Sequence, residues 1–258
     1  MLKDTLIKLG TSPSLQKAGV ELNLMFAPTS ARGKAQGILG SLGLEDRWQV
    51  VPMYGEGTGG GAEGSDLTAV LRIALEGASL ATSGGVVFIG MDCPELSVVE
   101  VEAALRISEE GGAYICPAWD GGYTLLALPS STPGEVFEGV QWSHPHTCFS
   151  QMQAISRTGL SLYVSEVHHD IDEIEDVVDL EARLSQAAEG DGTCSCPFTL
   201  HAARRVLLAT EEAEQSIQDQ QQRLQLQEKD GQRRRLGRLL CWGLMVTVGL
   251  TLGRARGR

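Results

Sequence analysis

The chain has 258 residues, 42% of them hydrophobic and 31 of them glycine, which suits one α/β domain of roughly 200 residues with an appendage and excludes a second catalytic domain. Its formal charge of −12 is unevenly placed: residues 199–258 hold 11 basic and 6 acidic side chains, against 10 basic and 27 acidic before them. A body that acidic repels a phosphate backbone, so nucleic acid is excluded as an expected partner, whereas a divalent cation is compatible with it.

Residues 1–10 carry Leu2, Leu6 and Leu9 at helical spacing, with Gly10 as a stop. A strand over 20–27, a helix over 33–44 and a strand over 48–53 give a β-α-β rhythm. The stretch GEGTGGGAEG (55–64) lacks a cation and carries Glu56 and Glu63, so it reads as a surface loop rather than a phosphate cradle. An amphipathic helix follows over 66–80. Residues 85–90, GVVFIG, form an unbroken apolar run, the pattern of a parallel strand buried on both faces, and are expected at the middle of the sheet. Ser97 and Glu100 have capping-box spacing at the head of a helix reaching about residue 110. Strands over 113–117 and 124–128 flank AWDGGY; a helix over 145–157, a strand over 160–167 and a helix over 174–188 complete the alternation. It predicts an open, mostly parallel α/β sheet.

After a linker at 189–198, residues 199–235 read as a Gln- and Arg-rich helical stalk. Residues 236–253 are apolar and flanked by arginines on both sides. A helix of that length comes close to the hydrocarbon thickness of about 30 Å, so the segment is read as a C-terminal membrane anchor, the alternatives being an interfacial segment or a packed soluble helix. The six cysteines form no CxxC pair and no zinc-like spacing with histidine, and residues 1–14 lack the apolar core of a signal peptide. Both features point to an intracellular, cytosolic-facing protein.

Three constellations could carry chemistry. Asp92 follows the most apolar strand, where ligands bind in open α/β sheets; the structural alternative is a helix cap, although Ser97 already supplies one. Asp120-Gly121-Gly122 between two strands is a hairpin turn, and its glycines would also let the backbone approach a sugar or phosphate while Asp120 accepts hydrogen bonds from hydroxyls. Asp170 and Asp172 precede an acid-rich helix. Asp172 reads either as its N-cap, with Glu175 three residues on, or as a second metal carboxylate or general base. His168 and His169 lack a ligand partner at fixed spacing and read as surface or core residues. No G-x-S-x-G elbow, Walker A loop or G-x-G-x-x-G turn is present.

Taken in order, FIGMDCPEL, PAWDGGYTLLAL, VFEGVQWSH and DIDEIEDVVDL resemble a bacterial-type family labelled DUF2064, similar to molybdenum-cofactor guanylyltransferases and held to be glycosyltransferases of the GT-A, Rossmann-like fold. By that resemblance Asp92 matches the metal-binding position, and Asp120, Gly121, Gly122 and Tyr123 match the substrate loop. Trp142 and Ser143 match an acceptor-side loop, and Asp170, Asp172 and Asp176 match the closing acidic motif. Upstream, EGSDLTAVL (63–71) matches only in part, with Thr68 in place of a glycine. The resemblance implies an opening strand and a basic nucleotide loop ahead of the helix at residues 1–10, and by it Gly33-Lys34 is expected to lie one strand too late to replace that loop.

The implied function is metal-dependent glycosyl transfer from a nucleoside diphosphate sugar to an acceptor, with Mg or Mn as cofactor. Nucleotidyl transfer on the same fold, or an inactive membrane-tethered scaffold, is the alternative. Asp92 would hold the metal, Asp120, Asp170 and Asp172 would do the chemistry, and Gly121, Gly122, Tyr123, Trp142 and Ser143 would bind substrate.

Overall fold

The computed structural model describes residues 1–53, 67–81, 84–191 and 194–225. Two compact units result, Met1–Arg204 and Arg205–Arg258. The first opens with α1 (Leu2–Gly10), which buries Leu6 and Leu9. Gly10 is required by packing, since a Cβ there would lie 2.8 Å from Nε1 of Trp48, the indole that donates to Leu6 O at 3.2 Å. A short α2 (Pro13–Lys17), capped by Ser12, leads into β1 (Leu22–Phe26), α3 (Arg32–Leu42) and β2 (Trp48–Pro52). As the sequence pattern predicts, β1 and β2 pair in parallel, with Leu22 opposite Trp48.

The remaining elements of this unit are α4 (Leu67–Ala81), β3 (Gly85–Ile89), α5 (Val98–Glu109), β4 (Ala113–Pro117), β5 (Tyr123–Pro129), α6 (Thr147–Thr158), β6 (Leu162–Val164) and α7 (Ile174–Asp191). Their sheet has the order β3-β5-β4-β6, with β5 antiparallel to both neighbours and β6 parallel to β4.

This corrects two expectations. The described strands form two sheets rather than one, and only half of the pairings are parallel. The five residues between β4 and β5 are too few for a crossover, so β5 folds back as a hairpin and inserts beside β3. Second, β3 is the edge of its sheet and only half-buried along its length, while β5 is the central strand, buried from Thr124 to Pro129. An apolar run reports how much surface a strand hides. It does not report which strands flank it.

The core has two layers because β4 and β5 bury both faces. Cys116, Leu125 and Ala127 face a cluster built with α1, α3, β1 and α5, including Leu6, Leu24, Phe26 and Ala104. Ile115, Leu126 and Leu128 face the opposite cluster, with Leu75 of α4, Phe137 and Ile155 of α6. Fully burying each of these leucines contributes about 2 kcal/mol relative to leaving it exposed.

A third, smaller cluster joins Leu180 and Leu184 of α7 to Cys196 and Leu200, so the first unit continues beyond residue 188 into a helix that starts at residue 197. Asp4 of α1, 3% exposed, caps that helix start: its carboxylate accepts from Phe198 N at 3.1 Å and from Thr199 N and Oγ1 at 2.6 Å each. In the second unit, the described residues 205–225 are helical and largely exposed. Among the described residues no helix is long and apolar enough to cross a membrane, and residues 236–253, read as an anchor, lie outside them.

Candidate active site

The parallel pairing of β4 with β6 is prolonged beyond both strands by a bridge between Ala118 and His168. Two backbone hydrogen bonds fix it, His168 N to Pro117 O at 2.8 Å and Trp119 N to His168 O at 3.1 Å. Two residues further along each chain stand Asp120 and Asp170, and the alignment brings them together. With Asp172 they form a trio whose carboxylate oxygens lie within 4.8 Å of one another, at the carboxyl ends of β4 and β6.

Local geometry sets Asp120. Its Oδ1 accepts from Gly122 N at 2.6 Å, closing an Asx turn. Gly121 sits at φ 89°, and a Cβ there would fall 2.0 Å from Pro145 O, so the turn admits no side chain at that position. Cys148 N donates to Gly121 O at 2.8 Å and ties the loop to α6.

Asp92 follows β3, whose end is fixed by Gly90 N donating to Thr124 O at 2.8 Å. The turn after it is held from three sides: Lys8 Nζ donates to Pro94 O at 2.8 Å and Leu96 O at 3.0 Å, Cys196 Sγ donates to Pro94 O, and Arg183 pairs with Glu95 at 2.6 Å. Asp92 lies outside the trio's ligand spacing but within its field. Desolvation, with the charges of Asp172 and Asp120 added, pushes its pKa above the usual carboxylate value, against hydrogen bonds from its own N–H and that of Cys93. Asp170 is pushed up to about 6, first by desolvation and then by its hydrogen bond to Asp120 and the charges of Asp120 and Asp172. Below about pH 6, Asp170 therefore holds a proton that it shares with Asp120 in a hydrogen bond.

Other residues named from the sequence lie elsewhere. Tyr123 packs in the core, where its hydroxyl donates to the buried Gln151 at 3.4 Å and burial raises its pKa. Trp142 donates through Nε1 to Thr68 Oγ1 at 2.8 Å and leans on Tyr123 with ring centroids 6.4 Å apart. In both cases the polar tip meets a protein partner, which supports the loop from behind. Ser143 is exposed at φ 53°, beside Trp142. Asp172 is not the N-cap, because α7 begins at Ile174 and the carboxylate of Asp176 accepts from Asp172 N at 3.0 Å and Glu173 N at 2.8 Å. That leaves Asp172 for the trio.

Two features escaped the sequence reading. Trp119 is 68% exposed beside Asp120 and stacks on His169 with centroids 5.0 Å apart and planes 18° from parallel. His168, read as partnerless, pairs with Glu100. No local spacing could have found that pair, since its members come from different elements.

Helices flanking sheets, with carboxylates beyond the ends of the strands, define a mixed α/β protein. A crystal structure from Desulfovibrio desulfuricans G20, described as a "putative nucleotide-diphospho-sugar transferase", superposes with a TM-score of 0.59 at 20% identity, covering 80% of this chain and 84% of that one. The chain belongs to the family described as "uncharacterized protein conserved in bacteria (DUF2064)", whose model matches residues 15–144. A comparison with curated proteins gives no match.

Proposed function

We propose that the protein transfers a glycosyl group from a nucleoside diphosphate sugar, with the help of a divalent cation. The observation that carries this reading is the convergence of Asp120, Asp170 and Asp172 within 4.8 Å, beside Asp92, at the carboxyl ends of β3, β4 and β6. Family membership and the neighbour's fold support it. The donor set fits a hard cation: all donors are carboxylate oxygens, and the crowding of negative charge that contributes to the raised pKa of Asp170 is what such an ion would relieve. Asp120, Asp170 and Asp172 would hold the ion, with Asp92 the fourth carboxylate at its edge. When bound, it neutralises charge on the diphosphate as the sugar departs.

The chain's own groups do the rest. The Asx turn at Asp120 and Gly122 presents backbone at the site without a covering side chain. Trp119, backed by His169, offers a flat apolar face beside the carboxylates, suited to a sugar ring or base. Of the four carboxylates, the one left outside the cation's shell is placed to accept the acceptor's proton.

Product analysis tests the reading. With nucleoside diphosphate sugars and manganese, the protein should release nucleoside diphosphate, and Asp120→Asn should lower kcat/KM at least about a hundredfold while leaving the fold intact. Pyrophosphate release would identify nucleotidyl transfer instead. Undiminished turnover in Asp120→Asn would remove the trio from the chemistry.

A further inference from the structure

Behind the acidic trio stands a second cluster of different chemistry. Glu100 lies in the first turn of α5, Cys116 near the end of β4 and His168 in the segment after β6, and each offers one atom within 4.8 Å of the others. His168 Nε2 is 2.9 Å from Glu100 Oε2, and Cys116 Sγ is 3.2 Å from Glu100 Oε1. We propose that these three side chains form a second cation site, distinct from the proposed sugar-nucleotide site, that takes a borderline-soft divalent ion of the zinc class.

Donor type is the first argument. A thiol, an imidazole and a carboxylate make a mixed sulfur, nitrogen and oxygen set, which favours zinc over the magnesium or manganese suited to an all-oxygen trio. Geometry is the second. Bonds of about 2.0–2.3 Å at a tetrahedral ion hold ligand atoms about 3.3–3.8 Å apart, so the pairs at 2.9 Å and 3.2 Å would spread by a few tenths of an ångström. Seclusion is the third. Cys116 is fully buried, and the side chains of Glu100 and His168 are 15% and 20% exposed, leaving entry from the imidazole side.

The ligands are also held in place. Ser97 caps α5, accepting from Glu100 N at 3.1 Å, yet the Glu100 carboxylate turns inward to the cluster instead of completing a capping box. The His168 backbone is bonded on both sides, to Pro117 and Trp119. Tyr114 and Ser165 stand beside these groups, with Tyr114 Oη 3.5 Å from Glu100 Oε1. A fourth position would be left to a water molecule.

On binding, the Cys116 S–H proton passes to solvent, and the imidazole coordinates through Nε2 with its remaining proton on Nδ1. No oxidation is involved. The ion would staple α5, β4 and the segment bearing Asp170 and Asp172 to one another, with its role at the trio one of positioning.

The test uses the full chain, purified under reducing conditions. The proposal expects one equivalent of zinc retained through gel filtration, and X-ray absorption at the zinc edge showing a single sulfur ligand with nitrogen and oxygen. Cobalt loading should give a thiolate-to-cobalt charge-transfer band that is lost in Cys116→Ser and His168→Gln and kept in Asp120→Asn. A zinc-free folded chain, two sulfurs in the shell, as Cys194 and Cys196 would supply, or a band unchanged in Cys116→Ser would each overturn the proposal. The absorption measurement on wild type decides it even if a variant fails to fold. Because every readout is independent of turnover, failure here is separable from failure of the transferase reading.

Discussion

Gly121 is the residue on which the loop's shape depends most directly. With φ at 89° and Pro145 O standing where a Cβ would go, Gly121→Ala must move backbone. Such strain costs on the order of 1–3 kcal/mol, and chemical denaturation of the variant should show a loss in that range. At Asp170 the prediction concerns pH. Its folded pKa of about 6 lies above the unfolded value of about 3.9, so between roughly pH 4 and 6 the folded chain holds a proton that the unfolded chain has released. Stability without cation should therefore fall as pH rises through that window. Asp170→Asn should flatten the slope, as urea midpoints at several pH values would show. Asp92, also raised, adds in the same direction; Asp176, lowered by the N–H groups of Glu173 and Asp172, acts oppositely at lower pH. An unchanged slope in Asp170→Asn would mean that the crowding of the trio is not felt in solution. The trio itself was only partly legible: Asp120, Asp170 and Asp172 stood out by motif, but their meeting depends on the Ala118–His168 bridge, which joins distant segments.

At the scale of elements, the central position of β5 sets the cost of disturbing it. Leu126 is fully buried against Ile115 of β4 and Phe88 of β3, and Leu126→Ala should destabilise the protein by about 2–5 kcal/mol, more than the same change at the exposed Leu208. The buried cap at Asp4 is a second test. Asp4→Ala leaves the N–H groups of Phe198 and Thr199 without their acceptor and should cost about 1–3 kcal/mol, with the loss visible in hydrogen exchange at the start of the helix from residue 197. Protection there equal to wild type would show that the cap is not used. Helices and strands were largely readable because their signals are local: the β-α-β opening, the Ser97 cap and the turn at Asp120. Capping of a C-terminal helix by a residue of α1 was not, since neither segment carries a mark of the other. Nor could the apolarity of GVVFI distinguish a centre from an edge, because β5 is as apolar and the hairpin decides which strand lies between.

For the whole molecule, the acidic body and its crowded carboxylates act in one direction: the negative charge gathered at the site raises Asp170 and Asp92, and a counter-ion would relieve it. On the proposed reading, a cation offsets the repulsion between a diphosphate and these carboxylates. The central claim is thus a coupling between metal and nucleotide sugar. The most direct measurement is calorimetric titration of the full chain with a panel of nucleoside diphosphate sugars, with and without manganese, beside Asp120→Asn and Asp92→Asn. Our account predicts binding of one donor only when manganese is present, abolished by Asp120→Asn and weakened by Asp92→Asn. Equal binding without manganese, or no binding to a folded chain with manganese, would contradict it.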